Sequence, residues 1–476
     1  MDQKPPSIDF ENGFCMSIDG LKVICDKGID VINPATEQLV GVAPDCSAEM
    51  LDEAVNAARK AFPEWRSATH ETRANALELI AEKLEENVEP LGVLLTREQG
   101  KPLADARMEI ARSALWFRHF AKCQLSIEHR ISPEGRKVEI RRVPVGVVGA
   151  ITPWNFPINL ATWKLAPALL AGNTVVLKPS PFTPLTTLKI GELLLDVLPP
   201  GVLNVVSGGD HLGPRMSEHL GLDKIAFTGS TATGRAVMRS ASVNLKRVTL
   251  ELGGNDPAIV LPDVDVEETA EKMFWAAFRN CGQVCVAAKR IYVHDAIYDQ
   301  FAAAMANLAR TFQPSNGEAP GARIGPVQNR VQYQRVQELI EDSRRAGYKF
   351  LSEPGDMKGP GYFIAPTIID NPPDDSRIVL EEPFGPVVPL LRFSDIDDVI
   401  RRANDSEFGL SGSVWSKNVE VARSIATRLD CGTVWINAAQ VLMPSVPFGG
   451  RKQSGVGVEN GDEGLCEFTS LHVTVE

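Results

Sequence analysis

Residues 145–180 read VGVVGAITPWNFPINLATWKLAPALLAGNTVVLKPS: a strand-like run, a helical run and a second strand-like run in close succession. Residues 145–151 and 174–177 are short apolar runs, whereas 157–171 carry the longer apolar pattern of a helix. Strands and helices that alternate this closely form βαβ units with parallel strands. The alternation continues with a helix over 184–197, a strand over 202–206, a helix over 211–219, a strand over 225–227, a helix over 231–242 and a strand over 248–252. This predicts an α/β fold built on an open wound sheet, and such sheets hold ligands at the carboxyl ends of their strands.

Upstream, Ser47 is a candidate N-cap for a helix over 47–62 that places Leu51, Ala54, Val55, Ala58 and Phe62 on one face. The same pattern predicts helices over 71–87 and 102–122. A second αβ series starts near 256. Its strands fall at 258–261, 291–293, 387–391 and 433–436, and its helices at 266–280, 296–312, 327–346, 395–404 and 418–429. Residues 352–377, rich in Pro, Gly and Asp, read as loops. Residues 471–475 alternate as an exposed edge strand does, and 126–144 have a similar charged, alternating texture; an unpaired edge seeks a partner.

A chain of 476 residues suggests two large domains or more. Its net charge of −12 argues against a nucleic-acid backbone as partner, which needs clustered Lys and Arg. No run of about 18 apolar residues appears, so no membrane span is expected. Met1 to Pro6 lack the apolar stretch of a signal peptide. The eight cysteines have neither metal-ligand spacing nor a disulfide framework, the seven histidines show no zinc-binding pairs, and a cytoplasmic enzyme with reduced thiols is expected.

Three short runs carry the chemistry. Cys285 lies in Phe278-Arg279-Asn280-Cys281-Gly282-Gln283-Val284-Cys285, Glu251 in Leu250-Glu251-Leu252-Gly253-Gly254-Asn255, and Asn155 in Pro153-Trp154-Asn155-Phe156-Pro157. They supply a thiol, a carboxylate and an amide donor, the groups that covalent attack on a carbonyl requires. Taken singly, a buried Cys is more often packing, a Glu a surface charge and an Asn a turn residue. Two prolines restrict the backbone around Asn155 and pre-aim its amide.

In this order the three runs resemble the signature set of the aldehyde dehydrogenase superfamily, and the resemblance covers nearly the whole chain. It implies oxidation of an aldehyde to a carboxylic acid with NAD, NADP being possible. Cys285 would form a thiohemiacetal and then a thioester. Glu251 would activate water, and Asn155 with the Cys285 backbone N–H would hold the oxyanion. Lys164 matches a supporting position. Glu459 matches a second carboxylate, to be read as a proton relay or a structural ion pair. Cys281, four residues before Cys285, would share its face on a helix, as a second redox thiol or as packing.

The resemblance also implies two wound αβ domains and a small β oligomerisation arm. Residues 1–125 and 145–252 would bind the dinucleotide, 253–450 would be catalytic, and 126–144 with 460–476 would form the arm of a homodimer or homotetramer. Gly229, Ser230 and Gly234 would form a short phosphate loop at a helix start, with Trp154 beside the cofactor. Lys178 would reach the adenine ribose, next to Ser180. Pro181 stands where many NAD-preferring members carry a Glu. Glu382 and Phe384 would position the nicotinamide. The tunnel positions are Leu160, Trp163, Val284, Val286, Ala438, Leu442, Met443 and Phe448, nearly all apolar, which favours an apolar or aromatic aldehyde. Arg279 also occurs in succinate-semialdehyde dehydrogenases, whose second arginine maps to Trp163, so a semialdehyde is the alternative. A CoA-acylating or esterase-like thiol enzyme would share Cys285 without the same need for Glu251.

Overall fold

The computed structural model describes residues 8–353 and 359–476. The start of the chain, Met1 to Pro6, and residues 354–358 of the expected loop lie outside the described residues. The fold is mixed α/β with two large sheets of mostly parallel strands.

The first sheet has eight strands, in the order Leu21–Val23, Met16–Ile18, Leu203–Val205, Thr174–Lys178, Val147–Ile151, Lys224–Thr228, Arg247–Glu251 and Gly455–Val456. Its five central strands run parallel. The strands Val147–Ile151, Thr174–Lys178 and Lys224–Thr228 are buried at every position, which is why they read as continuous apolar runs without alternation. From Val147–Ile151 the chain builds outward to Thr174–Lys178 and Leu203–Val205, then returns to the other side at Lys224–Thr228. This reversal is a topological switch point, where wound sheets open a crevice at their carboxyl ends.

The second sheet orders seven strands as Lys349–Ser352, Thr367–Asp370, Val387–Phe393, Ala288–His294, Asp256–Val260, Ser411–Trp415 and Thr433–Ile436. All but the first run parallel to their neighbours. A third, antiparallel sheet joins Thr469–Val475 to Lys137–Pro144 and Ile127–Ile131. Leu471, Val473 and Val475 stand exposed on its edge strand.

Local signals set the helix starts that matter for the site. Pro157 occupies the first turn of Pro157–Ala171, where its missing N–H is no loss, and Gly172 ends the helix at φ 94°. The Ser230 side chain accepts from Thr233 N and starts Thr231–Ala241. Several elements depart from the sequence expectation. Helix Val88–Gln99 forms despite Pro90 and Gly92, because Pro90 sits in the first turn and Gly92 faces a tight approach: a Cβ there would lie 2.9 Å from Arg107 Cγ. Strand Thr367–Asp370 lies inside the expected loop, the short helix Arg377–Leu380 begins at that loop's last residue, and strand Ser411–Trp415 was not expected. Both strands have partners on each side in the second sheet, where neighbouring strands rather than local alternation decide the structure.

Candidate active site

The switch point of the first sheet feeds the loop that carries Asn155. Asn155 is buried, and its Nδ2 donates to the Gln283 carbonyl at 3.0 Å. Its own carbonyl accepts from Lys101 Nζ at 2.9 Å and from Asn280 Nδ2 at 3.2 Å. Lys101 is ion-paired with Glu109, both buried, and Glu109 Oε1 accepts from the Ile158 and Asn159 backbone N–H groups at 3.0 and 3.2 Å. One buried ion pair thus fixes both the Asn155 carbonyl and the start of the helix behind it. Lys101 and Glu109 escaped the sequence reading because they belong to no motif. Glu109 nevertheless sits with Ala106 and Ser113 on the buried face of Leu103–Phe120, and a charge on a core-facing stripe was the available signal. Glu109→Gln strands the Lys101 charge, so a loss of about 3–5 kcal/mol is expected from urea unfolding of the variant.

Cys285 precedes strand Ala288–His294 of the second sheet, and Glu251 ends strand Arg247–Glu251 of the first. The seam between the two sheets therefore brings thiol and carboxylate together. Burial pushes the Cys285 thiol up to about 12, against the pull of Lys289, with Asp256, Glu251 and Glu382 adding to the rise. Lys289 Nζ also donates to the Cys285 carbonyl at 2.6 Å. At neutral pH the thiol keeps its proton until a base or a bound group favours the thiolate.

Glu251 is buried, and neither carboxylate oxygen has a hydrogen-bond partner. Burial first, then the Glu459 charge, hold its carboxyl well above the usual range, while Lys164 pulls the other way. Glu459 Oε1 is paired with Lys164 Nζ, which also donates to Thr228 Oγ1 at 2.6 Å. The Glu459 backbone is clamped to Phe448 by two 2.7 Å bonds. Glu459 and Lys164 thus form a buried ion pair beside Glu251, a partnership that the sequence did not indicate.

Two cavities meet at Cys285. The first, about 70 Å³, is lined by Leu160, Trp163, Val284, Val286, Leu442 and Arg279 among others. The second is wider, about 490 Å³, and takes in Trp154, Asn155, Gly229, Ser230, Glu382 and Phe384. Cys285 and Leu160 line both. Glu251 lines neither and lies beneath the surface. In the wide cleft, Trp154 and Phe384 meet edge to face at 5.3 Å, and Glu382 Oε1 is held by Lys289 at 3.0 Å and by Gly254 N at 3.2 Å. A Cβ on Gly253 would come within 2.3 Å of Glu382 Oε2, so glycine keeps this wall clear.

Lys178, Ser180, Pro181 and Gly234 do not line that cleft. Gly234 packs against Leu252, which a Cβ would meet at 2.4 Å. The Ser180 hydroxyl is turned to Phe182 N. Lys178 ends its strand with Nζ on the Pro179 carbonyl, and burial brings it down to about 8 against Asp210 and Asp45.

The tunnel expectation needs three corrections. Phe448 does not line the narrow cavity; its ring backs Trp163 at 5.8 Å. Ala438 and Met443 are also absent from the lining. The lining is not nearly all apolar, since Lys101, Asp105, Glu109 and Arg112 contribute to it from residues that carry no motif. Cys281 needs a fourth. Asn280, Cys281 and Gly282 take φ of 49°, 57° and 70°, which turns the chain instead of continuing a helix. Cys281 therefore points into the core of the second sheet, where burial pushes its thiol up, and does not share a face with Cys285.

The profile of the aldehyde dehydrogenase family matches residues 24–474. The chain is 40% identical to the aldehyde dehydrogenase LUC3 of a Fusarium species, over 93% of this chain and 94% of that one. Among solved structures it is similar to an aldehyde dehydrogenase from Bacillus cereus, at 37% identity, TM-score 0.94 and coverage of 98% and 97% of the two chains. It is also similar to a betaine aldehyde dehydrogenase from Staphylococcus aureus in complex with NAD+, at 34% identity, TM-score 0.94 and coverage of 98% and 95%.

Proposed function

Because the chain belongs to the aldehyde dehydrogenase family, we propose that it oxidises an aldehyde with an apolar or aromatic body to the carboxylic acid, using NAD+ and a Cys285 thioester. The observation that carries this reading is the position of Cys285 in the linings of both cavities, the narrow one for the aldehyde and the wide one for the dinucleotide.

The wide cleft fits a dinucleotide. It opens at a switch point, reaches the start of helix Thr231–Ala241 with Ser230 as cap, and has a wall kept thin by Gly253. Trp154, Gly229, Ser230, Glu382 and Phe384 would hold the cofactor there. When bound there, the cofactor would supply a hydride acceptor for the carbon attached to Cys285.

The chain's own residues do the rest. Cys285 Sγ adds to the aldehyde carbon and gives its proton to solvent water, leaving the charge on the former carbonyl oxygen. Asn155 Nδ2 has one hydrogen on the Gln283 carbonyl and a second for the new oxyanion, with the Cys285 N–H as the other donor. Loss of hydride leaves a thioester. Glu251, tied to no partner, takes a proton from water as the water attacks, and the acid leaves with the Cys285 thiol restored. Lys164 and Glu459 set the charge around Glu251.

Residues 1–125 and 145–252 form the dinucleotide-binding domain, 253–450 the catalytic domain, and 126–144 with 460–476 the arm of a cytoplasmic homodimer or homotetramer. The exposed apolar edge Thr469–Val475 and eight free cysteines support this.

A panel of aldehydes with NAD+, followed by absorbance of the reduced cofactor, tests the function; no reduction with any member overturns it. NAD+ is expected to outperform NADP+. The resemblance sets the adenine ribose beside Lys178, beyond the described cleft, and the Asp45 and Asp210 charges near Lys178 disfavour a further phosphate there. A specificity constant about tenfold higher for NADP+, roughly 1.4 kcal/mol, would reverse the assignment.

A further inference from the structure

We infer that Lys289 is a positioning residue for the nucleophile: its ammonium group, locked on the Cys285 carbonyl, supplies the charge that favours the attacking thiolate, and Glu382 in the wide cleft offsets part of that charge. The inference rests on the Cys285 reading above and adds a determinant of its reactivity.

Lys289 is the second residue of strand Ala288–His294, and its side chain is 2% exposed. An ammonium group has three donors and no acceptor. Three oxygens stand around this one: the Cys285 carbonyl at 2.6 Å, the Gly254 carbonyl at 2.7 Å and Glu382 Oε1 at 3.0 Å. Each donor therefore has its own acceptor, and the position of Nζ is fixed. A cation held this deep costs desolvation, which one carboxylate and two carbonyls must offset.

The three partners belong to three separate segments. Gly254 closes the triangle, since its N–H donates to the same Glu382 oxygen at 3.2 Å. No side chain fits between them: a Cβ on Gly254 would lie 2.9 Å from the Cys285 carbonyl oxygen and 2.8 Å from Asp256 Oδ1. Glu382 lines the wide cleft, so the ammonium group joins a cleft wall to the backbone of the nucleophile.

The charges around Cys285 show what Lys289 contributes. Burial works against the thiolate, and so do the carboxylates Asp256, Glu251 and Glu382; Lys289 is the strongest influence in its favour. Burial also pushes the Asp256 carboxyl up to about 7, with Lys289 pulling it down. Asp256 accepts from the Ser411 backbone N–H and hydroxyl, and Glu251 has the Lys164–Glu459 pair beside it. Attack on a carbonyl carbon requires the thiolate. The Lys289 charge thus sets how much of the reactive form is present, and Glu382 moderates it.

The test follows alkylation of Cys285 by iodoacetamide at about pH 8.5, where an ordinary thiol is half ionised, with the modified peptide identified by mass spectrometry. Native protein, Lys289→Gln and Lys289→Arg are compared. Neither aldehyde nor cofactor is present, so the result judges Lys289 whether or not the aldehyde panel gives turnover. Lys289→Gln keeps a donor for the carbonyls and deletes the charge; its alkylation is expected to be roughly tenfold slower. Lys289→Arg keeps the charge and is expected to stay within about threefold of native. A native rate in Lys289→Gln overturns the inference. Equal slowing in both variants also overturns it, because packing and not charge would then be what was lost. Should either variant fail to fold, Glu382→Gln decides. Removing the offsetting carboxylate is expected to speed alkylation roughly threefold or more, and no acceleration overturns the inference.

Discussion

Cys285→Ala is expected to lower dehydrogenase turnover roughly ten-thousand-fold or more, about 5.4 kcal/mol in the barrier, while the protein still binds NAD+. The size follows from the role: no other thiol lines either cavity. Cys281 is closest in sequence but faces the core of the second sheet, so it offers no substitute nucleophile. Trp154 lies in the wide cleft and gives a fluorescence readout of dinucleotide binding that does not depend on chemistry. Near-normal turnover of the variant would move the nucleophile elsewhere. Loss of both turnover and cofactor quenching would mean that the substitution disturbed the site rather than the reaction.

Glu251→Gln is expected to leave thioester formation largely intact and to slow its hydrolysis roughly a hundredfold or more, within the range for removal of a general base. A burst of reduced cofactor equal to the enzyme concentration, followed by a weak steady state, is the signature. An unchanged steady-state rate would point to Glu459 instead. The pH behaviour follows from the raised carboxyl. Deacylation needs the ionised form, so the acid limb of the steady-state rate should lie well above the ordinary carboxylate range and be absent from Glu251→Gln. Stability runs the opposite way. A carboxyl whose folded value lies above its unfolded one contributes stability at low pH that is lost as pH rises through the folded value. Glutamine mimics the protonated form. The variant should therefore melt higher than the native protein at neutral pH, and the difference should close as pH falls toward 4.5. A variant less stable at neutral pH would show that the Glu251 carboxylate is paired in a way its bare oxygens do not indicate.

The two sheets were legible in outline because their central strands are buried on both faces and must be apolar along their whole length. The helix Pro157–Ala171 was legible from its proline and glycine boundaries, which act locally. The elements missed were those whose stability comes from neighbours. Helix Val88–Gln99 is closed by the packing of Gly92 on Arg107, and strand Ser411–Trp415 by parallel partners on both sides.

The candidate site divides along the same line. Cys285, Glu251 and Asn155 could be named as candidates from short runs of chain, because those runs, taken together and in order, resemble the family's signature set. Their setting could not. Lys101 and Glu109 grip the Asn155 loop from a distant segment, and Arg112 reaches the cavity from the same helix as Glu109. The positive φ angles from Asn280 to Gly282 turn Cys281 away from its neighbour. By itself the sequence determined which groups are present and where the βαβ units run, since both are written in contiguous residues. Only the tertiary structure decided which charges are buried, which are left unpaired and which face the same cavity. Desolvation and Coulomb interaction depend on distances through space, and those distances are set by the packing of segments far apart in the chain.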